Sequence, residues 1–292
     1  MKRILLFFLL TSFLVNAQIP YGSNPKVGKR IQVGDISMYY EIYGKGEPLI
    51  LLHGGFGSSE MMGGMIAAFS KKYQVIAVDS RSQGRTTDSD EKELSYAQMA
   101  LDVNGFMDLL HIKKAKFVGW SDGGDIALEL ALIHPEKITK AVIMGANFLG
   151  ESKGVFLGID TTWKMDAKDP LFAKTKPELI KYFSTYERLA PDKKKIESSR
   201  KKVSDNAFKN PNITLAQLKS IQVPFLVMAG DHDMFTLEHT IAMYQNLPQA
   251  SLYIVPDATH ISPFEEPELV HAEILRYLDK PYRKLDAFYF WK

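Results

Sequence analysis

From about Ile31 onward the chain switches repeatedly between two hydrophobic periods. "ISMYYEIYG" (36–44) and "PLILLHGG" (48–55) are rich in strand-forming residues and end in glycine. "QVIAVDS" (74–80), "AKFVGWS" (115–121), "KAVIMGA" (140–146), "PFLVMAGD" (224–231) and "SLYIVPDA" (251–258) are short apolar runs. Such runs suit strands buried on both faces. Between them, apolar positions recur at helical spacing over 59–72, 94–111, 122–134, 236–247 and 266–279. The alternation predicts βαβ units: an α/β fold with a mostly parallel central sheet flanked by helices.

One stretch breaks this rhythm. Residues 148–215 contain no buried-strand run but several helical segments, among them 176–189 and 192–208, with 14 Lys/Arg against 9 Asp/Glu. The pattern predicts a helical lid inserted between two halves of a core, 31–147 and 216–280. The tail at 281–292 ("YRKLDAFYFWK" from 282) is aromatic and basic, and reads as a strap on the body or a contact surface.

The first 17 residues change the compartment. Lys2 and Arg3 precede an apolar run from Ile4 to Val15, and Ala17 offers a small residue for cleavage, which is the layout of a secretory signal peptide. The run is shorter than the roughly 20 residues that span a bilayer as a helix. Export to the periplasm or medium is therefore expected, with no stable membrane span after cleavage. Loss of Lys2 and Arg3 leaves basic and acidic residues equal, at 34 each, which argues against a nucleic-acid partner. The chain has no cysteine, so a lipid-anchored junction, disulfides and thiolate chemistry are excluded. A hydrophobic content of 46% allows a core of sufficient size without them.

Candidate chemistry centres on "VGWSDGGDIALELA" (118–131), where Ser121 lies between an apolar strand and a helical pattern. Gly119-Trp120-Ser121-Asp122-Gly123 fits G-x-S-x-G, informative only in this strand–turn–helix context. A serine on so tight a turn needs small residues two positions away on either side. Its hydroxyl then stands at a helix N-terminus, where the Asp122 N–H and the helix dipole would stabilise a developing oxyanion.

A serine hydroxyl needs a base, and the base needs an orienting carboxylate. His260, in "PDATH" after the run at 251–256, and Asp231 or Asp233, in "GDHD" after the run at 224–230, would both sit at the carboxyl edge of the sheet beside Ser121. Asp231 leaves its strand directly and would brace the turn, whereas Asp233 lies further out on the loop. The other histidines have simpler readings. His111 and His134 fall at helix ends, His239 and His271 read as surface positions within helices, and His232 breaks the order Ser, acid, His. "LLHGGFGSSE" (51–60) adds glycines at 54, 55 and 57, so an N–H at Gly55 or Phe56 would complete the oxyanion site. Trp120 and Asp122 flank the serine as candidate substrate contacts. The Asp122 carboxylate would attract a cationic group on the acyl side.

"HGGFGSS", "DSRSQGRT", "GWSDGG", "GDHD" and "PDATH" resemble, in order and spacing, the motifs of the α/β-hydrolase superfamily. The resemblance runs from about Ile31 to Leu278, and "GWSDGG" is similar to the elbow of its biphenyl-hydrolase-like and valacyclovir-hydrolase-like branch. It implies an α/β-hydrolase fold with a helical lid, Ser121 as nucleophile, Asp233 as acid and His260 as base. It also implies oxyanion N–H groups at Gly55 or Phe56 and at Asp122. Ser82 and Asp257 depart from the family pattern, standing where glycines are common. The implied activity is hydrolysis of small carboxylic esters, or amides, through an acyl-enzyme, with no metal and no organic cofactor. The alternatives are C–C bond hydrolysis or cofactor-free perhydrolysis at the same site, and a non-catalytic binding protein on the same fold.

Overall fold

The apolar runs pair into one sheet. In the computed structural model, which describes residues 19–90, 92–150, 184–283 and 285, the strands are β1 (Lys29–Val33), β2 (Ile36–Tyr43), β3 (Pro48–Leu52), β4 (Gln74–Val78), β5 (Ala115–Trp120), β6 (Ile138–Met144), β7 (Phe225–His232) and β8 (Ala250–Thr259). The expected signal peptide at 1–17, residues 151–183 of the expected lid and most of the tail lie outside the described residues. Among the described residues, no helix is long and apolar enough to cross a membrane.

The strand order is β1-β2-β4-β3-β5-β6-β7-β8. The β1/β2 and β2/β4 pairings are antiparallel and all the others are parallel. Strict alternation within the runs explains why both faces are covered. Ile50, Leu52, Ile76 and Val78 face one core, closed by helices α2 (Tyr96–Leu109) and α3 (Asp122–Ile133). Leu49, Leu51, Val75 and Ala77 face the other, closed by α1 (Gly63–Phe69) and by a C-terminal helix, Pro267–Asp279. Each such valine, leucine or isoleucine, fully removed from water, contributes roughly 1.5–3 kcal/mol.

β4 lies on one side of β3 and β5 on the other, so the winding reverses at β3. The loops leaving β3 and β5 diverge there, and the crevice beyond their carboxyl ends is where ligands of open α/β sheets bind.

Between β6 and β7 the described part of 148–215 is helical at 184–189 and in α4 (Ile196–Lys209). Its basic side chains meet acidic ones on the loop after β4: Lys202 Nζ lies 2.8 Å from Asp88 and Lys195 Nζ 2.9 Å from Asp90. The Ser199 hydroxyl also donates to Asp88, at 3.0 Å. Beyond the insertion come α5 (Leu215–Ser220), α6 (Leu237–Asn246), α7 (Ser262–Glu265) and the C-terminal helix, α8.

Three expectations need correction. The helical pattern at 59–72 is split into a 3-10 turn, Ser59–Met62, and the shorter α1. The run at 251–258 is not buried on both faces: β8 is an edge strand paired only with β7, and most of its residues stay half-buried or exposed. His239 is not a surface residue. It shares the inward face of α6 with Met243, stacks on Phe148 at 4.2 Å, and accepts the Phe148 N–H on Nε2. Burial drives its pKa down to about 4, so it is neutral. His271 is likewise packed against Phe69, at 5.4 Å.

Candidate active site

Ser121 follows β5 and stands at the N-cap of α3 with φ 53° and ψ −124°, a backbone that most side chains resist. Glycine on either side makes the turn possible. A Cβ at Gly119 would stand 2.2 Å from the Gly123 carbonyl oxygen, and one at Gly123 would stand 2.2 Å from that of Leu52. The Ser121 N–H donates to the Met144 carbonyl at 2.8 Å, which ties the elbow to the end of β6.

His260 follows β8 and Asp233 follows β7, so three strand exits converge. His260 Nε2 lies 3.0 Å from Ser121 Oγ, and His260 Nδ1 lies 2.9 Å from Asp233 Oδ1. With the proton on Nδ1 donated to the carboxylate, Nε2 presents a lone pair to the serine hydroxyl. Asp233 is buried and also accepts the Phe235 N–H at 3.2 Å. Asp231, the other candidate acid, turns elsewhere. It accepts the Ala258 N–H at 3.1 Å and clamps the β7 exit to β8. Hydrogen bonds from the Asp257 and Ala258 N–H groups hold its pKa below the ordinary carboxylate value.

The loop after β3 passes close to the serine. A Cβ at Gly54 would lie 3.1 Å from that of Ser121, and Phe56 adopts a positive φ of 59°. His53 fastens this loop: its Nδ1 pairs with the Gly54 carbonyl at 2.7 Å, and its Nε2 accepts the Ser80 N–H at 3.0 Å. Complete burial lowers its pKa and keeps it neutral. Gly54 thus lies beside Ser121 and Gly55 beside the Asp122 carboxyl, where α3 begins. Helix-opening N–H groups have no acceptor within their own helix.

The Asp122 carboxyl is buried against Gly55, whose own Cβ would come 2.9 Å from it. The Tyr96 hydroxyl donates to it at 3.0 Å, and the Gln83 amide lies beside it. Burial pushes its pKa up to about 6, against the opposing pull of Tyr96, His260 and Gln83. Trp120 is 3% exposed; its ring lies 5.6 Å from His260, and its indole N–H donates to the His260 carbonyl at 2.9 Å.

The arrangement has the parts for acyl transfer: a strained serine at a helix N-terminus, a paired imidazole and a glycine loop beside them. A sequence profile for the alpha/beta hydrolase fold matches residues 47–267. The chain belongs to the α/β-hydrolase fold family. It is 27% identical to serine hydrolase BPHL of Mus musculus over 79% of each chain. It is 28% identical to 2-hydroxy-6-oxononadienedioate/2-hydroxy-6-oxononatrienedioate hydrolase of Comamonas testosteroni, over 80% of this chain and 88% of that one. Carboxylesterase YbfK of Bacillus subtilis is also 28% identical, over 79% of each. In fold, the chain superposes on a meta-cleavage product hydrolase from Pseudomonas fluorescens with a TM-score of 0.72, at 24% identity, over 88% of this chain and 99% of that one. This α/β hydrolase is therefore an enzyme with esterases and C–C hydrolases among its relatives.

Both departures from the family motifs fall at positive φ, 64° at Ser82 and 54° at Asp257. The Ser82 hydroxyl donates to Asp88, the residue that pairs with Lys202. One residue of the site escapes the sequence. Gly145, at φ 54°, lies under the His–Asp pair, and a Cβ there would come 2.7 Å from His260 Nδ1. Its glycine after an apolar run was the available signal.

Proposed function

We propose that this α/β hydrolase is an exported serine hydrolase that cleaves small carboxylic esters, with amides as a second substrate class. The hydrogen-bonded series Asp233–His260–Ser121, at 2.9 and 3.0 Å, is the observation that carries the reading. His260 Nε2 takes the proton as Ser121 Oγ attacks the carbonyl carbon. The oxyanion is met by the N–H of Asp122 and that of Gly55 or Phe56. The C–O bond to the alcohol breaks, the alcohol leaves with the proton from His260, and an acyl-serine remains. Water, deprotonated by His260, then attacks the acyl carbon and releases the acid. Asp233 keeps the imidazole in the required tautomer and balances the transient imidazolium.

The described part of the expected lid, with Tyr186 packed edge-on against Phe56 and with Ser199 and Lys202 bound to Asp88, supports a covering role for the insertion. Asp122 sets the acyl side, where its shielded carboxylate favours a cationic group such as an α-ammonium. A fluorophosphonate probe tests the reading: the adduct should map to the Ser121 peptide and vanish in Ser121→Ala. Absence of labelling in folded protein would favour a binding protein on this fold. C–C bond hydrolysis is the second reading, supported by the Comamonas testosteroni relative. Parallel assays with chromogenic esters and with a 2-hydroxy-6-oxo dienoate separate the two. Export is supported by the leader pattern at 1–17, and processed protein should begin at Gln18. Protein recovered from membranes with residues 1–17 attached would refute it.

A further inference from the structure

Three parts of the site belong to distant stretches of chain: the serine at 121, the base at 260 and the glycine loop at 54–56. A single residue adjoins all three. The Trp120 indole adjoins the nucleophile in sequence, and its N–H donates to the His260 main-chain carbonyl at 2.9 Å, 140 residues away. Its ring lies 5.6 Å from the imidazole and packs edge-on against Phe264 at 4.9 Å. On its other side the ring fills the space over Gly54, where a Cβ would come 2.9 Å from two of its carbons.

We infer that Trp120 is a positioning residue, whose indole N–H fixes the His260 loop at the height where Nε2 meets Ser121. The inference rests on the serine-hydrolase reading and deepens it. The His260 backbone follows an edge strand that is paired on one side only, up to His232↔Thr259, so the sheet holds it from that side alone. The side chain is held at one ring nitrogen by Asp233 and aimed at Ser121 by the other. Those bonds set the ring's direction but leave the loop's displacement along the crevice open. A hydrogen bond to the carbonyl of the same residue removes that freedom, and a shift near 1 Å at a reacting group can cost about 100-fold in rate. The bond comes from the residue next to the nucleophile, so base and serine are referenced to one another.

The test compares Trp120→Phe, which keeps a ring but loses the donor, with Phe264→Leu, which loosens the packing but keeps the donor. Fluorophosphonate labelling rate, kcat, KM and Tm are measured for both. Trp120→Phe should lower kcat and labelling about 10-fold or more with KM within about twofold. Phe264→Leu should lower Tm while the labelling rate stays within about twofold. Should Trp120→Phe not fold, β-(3-benzothienyl)alanine at 120 exchanges only the N–H for sulfur, and the same losses are expected. Wild-type rates in either donor-less protein would overturn the inference. So would equal losses of labelling in Phe264→Leu, which would reduce Trp120 to a packing role. Failure of the wild type itself to label at Ser121 would instead overturn the serine-hydrolase reading and this inference with it.

Discussion

Gly145 lies directly beneath His260: a Cβ at 145 would stand 2.7 Å from Nδ1 and 2.8 Å from Cε1 of the imidazole, and 3.2 Å from Asp233 Oδ2. The end of β6 thus forms the floor on which the histidine and its carboxylate rest. Gly145→Ala should displace the ring and lower kcat about 100-fold. The positive φ adds a stability cost of roughly 1–2 kcal/mol. Steady-state kinetics and thermal unfolding read the two effects separately, and near-wild-type kcat would show that the floor tolerates a methyl group.

The two acids after β7 should separate cleanly. Asp233→Asn should lower kcat by roughly 10⁴, as loss of the third triad member does in serine proteases. Asp231→Asn removes the acceptor of the Ala258 N–H and should cost more stability than activity. The opposite ranking in paired kinetics and melting experiments would reassign the acid.

Asp122 should betray its burial through pH. Its folded pKa, about 6, lies above the ordinary carboxyl value, so the folded state holds a proton that the unfolded chain has released. Stability should therefore fall as pH rises from about 4 to about 6, by up to about 2–3 kcal/mol. Asp122→Asn should remove that slope and be more stable than wild type above pH 6. In catalysis, the wild type should prefer an amino-acid ester over its N-acetylated counterpart, and the asparagine variant should lose the preference. Equal kcat/KM ratios in both enzymes would free Asp122 from substrate choice.

The insertion should be held by Asp88. This buried carboxylate accepts from Ser82, Ser199 and Lys202, and those partners keep its pKa low despite desolvation. Asp88→Asn should destabilise the contact by about 1–3 kcal/mol. Limited proteolysis should then cut within 184–209 faster than in wild type. The same loosening should appear in wild type as pH falls below the ordinary carboxylate value and through the lowered pKa of Asp88. Unchanged cleavage would show that other contacts hold α4 in place.

Much of this is legible in the sequence. Ser121 announces itself because a serine on a tight strand–helix turn demands small residues at 119 and 123, a local requirement that local sequence displays. Strand runs such as 49–52 and 75–78 are equally plain, since burial on both faces leaves no polar position. What stayed hidden depends on partners far along the chain. Gly145 looks like any strand-ending glycine until His260 stands above it. The Trp120 donor has its acceptor 140 residues away. His239 reads as polar and exposed, although its spacing of four from Met243 placed it on the buried face. The half-exposed β8 shows the limit of composition: an edge strand can be as apolar as a central one.

Rapid-quench mass spectrometry with a p-nitrophenyl ester tests the central claim most directly. The account predicts a burst of about one nitrophenol per active chain, with the acyl mass carried on the Ser121 peptide and absent from Ser121→Ala. Turnover of the ester with no burst and no acyl adduct, or turnover that survives Ser121→Ala, would contradict it.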